Sequence, residues 1–173
     1  PAAMKPYRRC ACAVSNRSAI RLQNTLTANR LNTETQTKNA RATSPDCVLT
    51  PELTEGPYYL DLDLMRRDIT EGRPGLAYDL AVKVVDAESC EPIEDAIVDV
   101  WHCDAEGVYS GMQGDDGTFL RGVQVADGTG TATFRTIFPG WYSGRAVHIH
   151  LKVIQSGQTW TGQLFFDEQA LEA

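Results

Sequence analysis

A chain of 173 residues with a formal net charge of −7 is long enough for one domain with a proper core and short for two. No apolar run approaches the ~18 residues that a membrane-spanning helix requires, so no membrane partner is expected. Charge is split: residues 1–46 hold eight Lys/Arg against two acids, the remainder eight against 21, and so acidic a main body argues against nucleic acid, whose phosphates need clustered Lys and Arg.

Residues 1–46 are basic and polar with no sustained period, and are expected to be a disordered tail. The faint helical spacing of Ile20, Leu22, Leu26 and Leu31 is too sparse to define a helix. The first residue is Pro1 and no apolar stretch of signal-peptide length follows Arg8 and Arg9, which reads as a processed or trimmed start. A domain is expected over 47–173, opening with the proline-punctuated Leu49-Thr-Pro-Glu-Leu-Thr-Glu-Gly-Pro-Tyr-Tyr. From Leu80 the period becomes two. Strands are predicted at 80–85, 96–102, 119–124, 131–137, 147–153 and 160–166, with a short turn-bounded piece at 107–111. The separating turns carry Asp, Gly and Pro, as in Asp86-Ala-Glu-Ser-Cys-Glu-Pro and Asp127-Gly-Thr-Gly. Short strands at this spacing imply an all-β sandwich of two packed sheets. The final strand runs almost to the end of the chain, so a C-terminal truncation is expected. Trp101, Trp141, Phe134 and Phe138 are read as core.

Five cysteines occur without a Cys-x-x-Cys pair, which disfavours a zinc ribbon. Cys47, Cys90 and Cys103 fall in the domain, and the sequence leaves their pairing open. Two of the three histidines form His148-Ile-His150 in the most strongly alternating strand. Residues two apart in a strand share a face, so the two imidazoles make half of a metal site. The third, His102, neighbours Cys103; adjacent strand residues point to opposite faces, so it is read as structural. Tyr142 and Arg145 lie just upstream of the pair. A phenol ionises near ~10, so a tyrosinate ligand favours a hard, strongly acidic cation such as Fe(III), while zinc or copper remain alternatives for the histidines alone. Tyr58 and Tyr59 are candidate walls of a substrate pocket, with a packed aromatic as the alternative for each.

Asp99-Val-Trp-His-Cys-Asp-Ala-Glu-Gly-Val-Tyr-Ser-Gly, Phe134-Arg-Thr-Ile-Phe-Pro-Gly-Trp-Tyr and Gly144-Arg-Ala-Val-His-Ile-His, together with Thr54-Glu-Gly-Pro-Tyr-Tyr, resemble the intradiol ring-cleavage dioxygenases over about residues 47–166. The resemblance implies non-haem Fe(III) held by Tyr109, Tyr142, His148 and His150, with catechols and dioxygen as partners and muconate-type diacids as products. It implies that Tyr142 is both displaced ligand and base, that Arg145 favours the charge that develops on the ring, and that Gln163 lies on the substrate side. Fe(III) with two tyrosinates, two neutral imidazoles and one hydroxide is neutral. A catecholate dianion replacing hydroxide and one tyrosinate keeps it so, which avoids a stranded charge in a dry pocket. Two departures stand out. Only Ser143-Gly144 separates Tyr142 from Arg145, and the helical N-terminal dimerisation region of the catechol enzymes has no counterpart. The pattern resembles the short, secreted branch, which implies an extracellular protein (the cytoplasm being the alternative), monomeric or homodimeric. A rival reading is a non-catalytic transthyretin-like β-sandwich module, which would need neither Tyr109, Arg145 nor both histidines.

Overall fold

The computed structural model describes the backbone of residues 10–15 and residues 50–166 apart from 88, 113 and 115. Seven strands form two antiparallel sheets. One sheet has the order β1 (Cys10–Ser15), β2 (Ala77–Asp86), β5 (Thr131–Ile137). The other runs β4 (Arg121–Val125), β3 (Ile97–Trp101), β6 (His148–Gln155), β7 (Gln158–Phe165). The expected all-β sandwich is the fold, and each of the six predicted strands is present within a few residues of its expected bounds.

Alternation explains what goes where. Leu80, Val82 and Val84 of β2 and Ala132 and Phe134 of β5 meet Val98 and Val100 of β3 and Ile149, Leu151 and Val153 of β6 to form the core. The opposite parity of β6 therefore sends His148, His150 and Lys152 to the outer face of the four-stranded sheet. That face is nevertheless buried, with His148 and His150 each 1% exposed.

The lead-in segment covers it. Glu52 bridges Gly162 and the Leu53 amide donates to the Thr161 carbonyl on β7. Glu55 pairs with Lys152 on β6. The Tyr59 ring lies against Trp101 on β3. Beyond it, Val123 of β4 accepts from the Arg66 amide and donates to the Leu64 carbonyl. The chain thus crosses all four strands as a roof. These neutral backbone and ionic contacts satisfy groups that burial would otherwise leave unpaired.

Three sequence expectations need correction. Within the segment read as a disordered tail, Cys10–Ser15 is a strand that pairs with β2 from Cys10↔Asp86 to Ser15↔Ala81. Its Cys-Ala-Cys-Ala-Val-Ser stretch suits an edge strand, and it covers the open hydrogen-bonding edge of β2. The rest of 1–46, including the faint helical spacing, lies outside the described residues, as does the end of the chain. The piece at 107–111 is a turn, not a strand. Trp141 is 63% exposed rather than core; it follows the Pro139-Gly140 turn and leaves the sheet's alternation. Cys90 is disulfide-bonded and Cys103 is a buried free thiol.

His102 ties the sheets together as the structural reading required. Its Nδ1 donates to the Cys103 carbonyl at 2.7 Å and its Nε2 accepts from the Thr136 hydroxyl of β5 at 2.7 Å. Burial pushes it down from 6.5 to about 4, so the folded state keeps it neutral where the unfolded chain is protonated. The unfolded state binds more protons between those values, and stability therefore falls as pH drops from about 6.5 to about 4. The metal-free protein is expected to lose on the order of 3 kcal/mol across that window from this group. Urea unfolding at a series of pH values checks it: His102→Asn should flatten the profile, and an equally steep profile in the variant would refute the assignment.

Candidate metal centre

Register sets out the site before any side chain is considered. Trp101 pairs with Arg121 on one side and His150 on the other, and His150 pairs with Gln163. Directly opposed residues share a face, so Arg121, Trp101, His150 and Gln163 form one row across the sheet. His148 stands one step along β6. Two loops bring the phenols. Tyr109 follows the Asp104 turn, whose carboxylate accepts from the Glu106 and Val108 amides at 3.0 and 2.9 Å. Tyr142 follows Pro139-Gly140. The loops close on each other at Gly107, where φ is +85° and a Cβ would sit 2.7 Å from the Trp141 carbonyl oxygen and 3.1 Å from Tyr142 Cβ. Only glycine accepts that conformation and that approach.

Four donor atoms converge there. His148 Nε2 lies 3.0 Å from His150 Nε2, 3.2 Å from the Tyr142 hydroxyl and 3.5 Å from that of Tyr109. The two hydroxyls are 3.5 Å apart. Such spacings are the edges of a polyhedron whose corners lie about 2 Å from a shared centre, as metal ligands do. Tautomers agree. His148 Nδ1 sits 2.7 Å from the Ala146 carbonyl; a carbonyl only accepts, so Nδ1 carries the proton and Nε2 presents its lone pair inward. Burial, followed by the neighbouring His148, pushes His150 down to about 3, and burial also lowers His148. Both imidazoles are thus neutral, as ligation demands. Burial raises Tyr109 well above the ordinary phenol value, so only a strongly acidic cation at its oxygen would ionise it. The donor set of two phenols and two imidazoles fits Fe(III) better than a soft or weakly acidic metal. Among the described residues no three His, Cys, Asp or Glu side chains cluster as a metal site, so the phenols are indispensable to this reading.

The remaining predicted residues divide. Tyr58 stacks on Tyr109 with centroids 4.4 Å apart and rings inclined by 24°. It lines a cavity of about 190 Å³ with Gly107, Val108, Tyr109, Met112 and Tyr142. Tyr59 does not reach that cavity. It packs on Trp101, with the Lys152 ammonium 3.3 Å from its ring centre. Gln163, predicted on the substrate side, has both ends of its amide occupied: its oxygen accepts from Arg145 and its nitrogen donates to the Thr54 carbonyl at 2.9 Å. It holds Arg145 to the roof. Sequence reasoning missed Trp101, whose ring lies parallel to that of His150 at 4.9 Å and 8°. It also missed the buried Arg121. The alternation of β3 points Trp101 to the same face as the histidines, but strand pairing must be known to see it.

The sandwich and its two-tyrosine, two-histidine centre define a candidate non-haem metalloprotein. A sequence model for a family described as "Dioxygenase" matches residues 50–172. Chlorocatechol 1,2-dioxygenase of Cupriavidus pinatubonensis is 32% identical, over 65% of this chain and 53% of that protein. An intradiol ring-cleavage dioxygenase from Tetranychus urticae has a TM-score of 0.70 at 40% identity, over 73% of this chain and 68% of that one. The dioxygenase domain of a carbohydrate-binding fusion from Streptomyces sp. SirexAA-E has a TM-score of 0.62 at 34% identity, over 69% and 75%. The chain belongs to the intradiol ring-cleavage dioxygenase family. It spans about half the length of the curated relatives it matches.

The roof's fit over the site is testable at Gly56, where φ is +77° and a Cβ would meet His150 Cε1 at 3.3 Å. Gly72 has nearly the same φ, +74°, with nothing within 4 Å. Gly72→Ala should cost about 1 kcal/mol from backbone strain alone. Gly56→Ala should cost a further ~1 kcal/mol from crowding the imidazole. Denaturant midpoints of the two variants give the difference; equal losses would mean that the roof does not press on His150.

Proposed function

We propose that this chain is a non-haem Fe(III) intradiol dioxygenase that opens catechol-type rings to muconate-type diacids. The observation that carries the reading is the convergence of Tyr109, Tyr142, His148 and His150 beside a cavity lined by Tyr58 and Met112. A display or binding module has no need to bury two phenols against two neutral imidazoles. Tyr109, Tyr142, His148 and His150 would hold the iron. When bound, Fe(III) supplies Lewis acidity toward both catechol oxygens and makes the ring reactive toward dioxygen.

The residues divide the remaining work by position. Tyr109 is 5% exposed and braced by the Tyr58 ring, so its hydroxyl is the fixed phenolic ligand. Tyr142 is only half-buried and lines the cavity. Its oxygen would be the one nearer an incoming catechol, and its phenolate would serve as the base for a substrate proton. Arg145 acts from the edge of the centre: its charge lowers Tyr109, His148 and His150 alike. The same field favours negative charge on the bound ring. Gln163 keeps the guanidinium there.

Among the described residues the cavity walls carry no cation, which supports a neutral catechol or hydroxyquinol over a carboxylated ring. Arg66 and Arg73, basic candidates upstream, are engaged elsewhere, with Glu71 and with Asp104 and the Phe119 ring. Arg67 lines a separate groove with Asp68, Asp79 and Arg135. The disulfide at Cys90 supports an oxidising, extracellular compartment.

Two measurements test this. Iron-loaded protein should show a tyrosinate-to-iron absorption band, and His148→Ala or His150→Ala should abolish both the band and stoichiometric iron; full iron occupancy in both variants sinks the ligand assignment. Tyr142→Phe should retain iron while slowing catechol binding in stopped flow by about 10²-fold, the low end for a lost general base. Separately, oxygen uptake should be faster by tenfold or more, about 1.4 kcal/mol, with catechol, 4-methylcatechol or hydroxyquinol than with protocatechuate. A preference for protocatechuate would place an unrecognised cation over the cavity.

A further inference from the structure

Arg121 is 3% exposed and starts β4 at the end of the row that contains Trp101 and His150. Its guanidinium makes three hydrogen bonds. Nε donates to the Ser110 hydroxyl at 2.9 Å, Nη2 to the Ser110 carbonyl at 2.8 Å, and Nη1 to the Tyr58 carbonyl at 2.8 Å. The Ser110 hydroxyl passes the chain on by donating to the Phe119 carbonyl at 2.7 Å. All three acceptors on Arg121 are neutral. Burial disfavours the charge, Asp99 and Tyr109 offset part of that cost without bonding to it, and an apolar side chain of the same length would fill the space more cheaply.

The cost becomes intelligible from what the three bonds join. Tyr58 belongs to the roof and Ser110 follows Tyr109 on a separate loop. These two segments carry the rings that stack at 4.4 Å. No hydrogen bond between the two rings sets their offset, and stacking alone is weakly directional. A planar fork with fixed donor directions supplies the missing constraint, which a lysine point charge would not.

Building on the metal-centre reading above, we propose that Arg121 is a positioning residue for Tyr109, clamping the Tyr58 and Ser110 backbones so that the Tyr109 hydroxyl is held in the ligand set. Arg121 touches neither metal nor substrate and acts through the tyrosine.

The test uses the full chain loaded with ferric iron, as wild type, Arg121→Lys and Ser110→Ala. The readouts are visible absorption per bound iron, the rate of iron release to a chelator, and the thermal midpoint. Arg121→Lys keeps the charge and loses the fork. It should weaken and shift the tyrosinate band per bound iron and release iron about tenfold faster, the usual scale for an outer partner of a metal ligand. Ser110→Ala, which removes the Nε acceptor and the hydroxyl's own bond to the Phe119 carbonyl but leaves both Nη bonds of Arg121, should move both readouts in the same direction by less. A lowered thermal midpoint with an unchanged band per iron and unchanged release in both variants overturns the proposal, because it leaves Arg121 a purely structural role. If Arg121→Lys does not fold, Ser110→Ala decides by the same criteria. Wild type that takes up no iron defeats the metal-centre reading itself, and so is distinguishable from a failure of the clamp.

Discussion

The centre depends on a strand that is apolar toward the core and polar on the side a sandwich normally leaves to water. On β6, Ile149, Leu151 and Val153 anchor the sheet in the core, which forces His148, His150 and Lys152 outward. An imidazole in water ionises at ~6.5, so protons compete with a metal for it as the pH falls below neutral. The roof resolves this by excluding water from the outer face while supplying polar partners for what it buries. Lys152 finds Glu55, and the Gln163 amide finds Thr54. Removal of the roof would leave the β framework standing and the histidines solvated. Fold stability and site chemistry therefore rest on different layers of the same sheet.

This division explains which features the sequence made legible. Period-two alternation and turn residues are local properties, and they placed β2 to β7. The His-x-His pair on a strand is local as well, and motif resemblance added Tyr109, Tyr142 and Arg145. Tyr59 and Gln163 were harder because their roles depend on which strand lies beside them. Tyr59 has the aromatic character of a pocket wall, yet the roof's path turns it onto Trp101 and the Lys152 ammonium. Gln163 lies in the site row, where its amide oxygen accepts from Arg145 and its nitrogen donates to the Thr54 carbonyl. Arg121 offered no signal at all: an arginine at a strand start reads as exposed until the loops above it are in place. Cys10–Ser15 shows the converse, a segment too short and weakly patterned to stand out, given strand geometry by the open edge of β2.

Electrostatics across the centre keep both imidazoles and Tyr109 neutral until a cation arrives. Burial depresses both His148 and His150, His148 depresses His150 further, and burial raises Tyr109. Two positive charges, on Arg145 and Arg121, stand close by; Arg145 works against the burial that raises Tyr109, and burial lowers Arg121 despite Asp99 and Tyr109. The field of Arg145 therefore opposes protonation of the imidazoles and favours ionisation of Tyr109. Those are the two changes that a trivalent cation with tyrosinate ligands requires.

The same arrangement carries a cost that links binding to stability. Without a cation, the Tyr109 and Tyr142 hydroxyls and His150 Nε2 all compete for the one inward lone pair of His148 Nε2 at 3.0 to 3.5 Å, and the buried His150 Nδ1 has no hydrogen-bond partner. Each is a small conflict held in place by the roof and the two loops. A cation among the four donors would replace that competition with coordination, and a ligand bound only by the folded state stabilises it by an amount that grows as the logarithm of its concentration relative to Kd. The roof, the Tyr109 loop and the Tyr142 loop share no strand, but all three meet at this centre. Occupancy would thus cross-link three otherwise separate segments over the sheet, and the pieces most exposed to local opening without a cation would become the ones most tightly coupled with it.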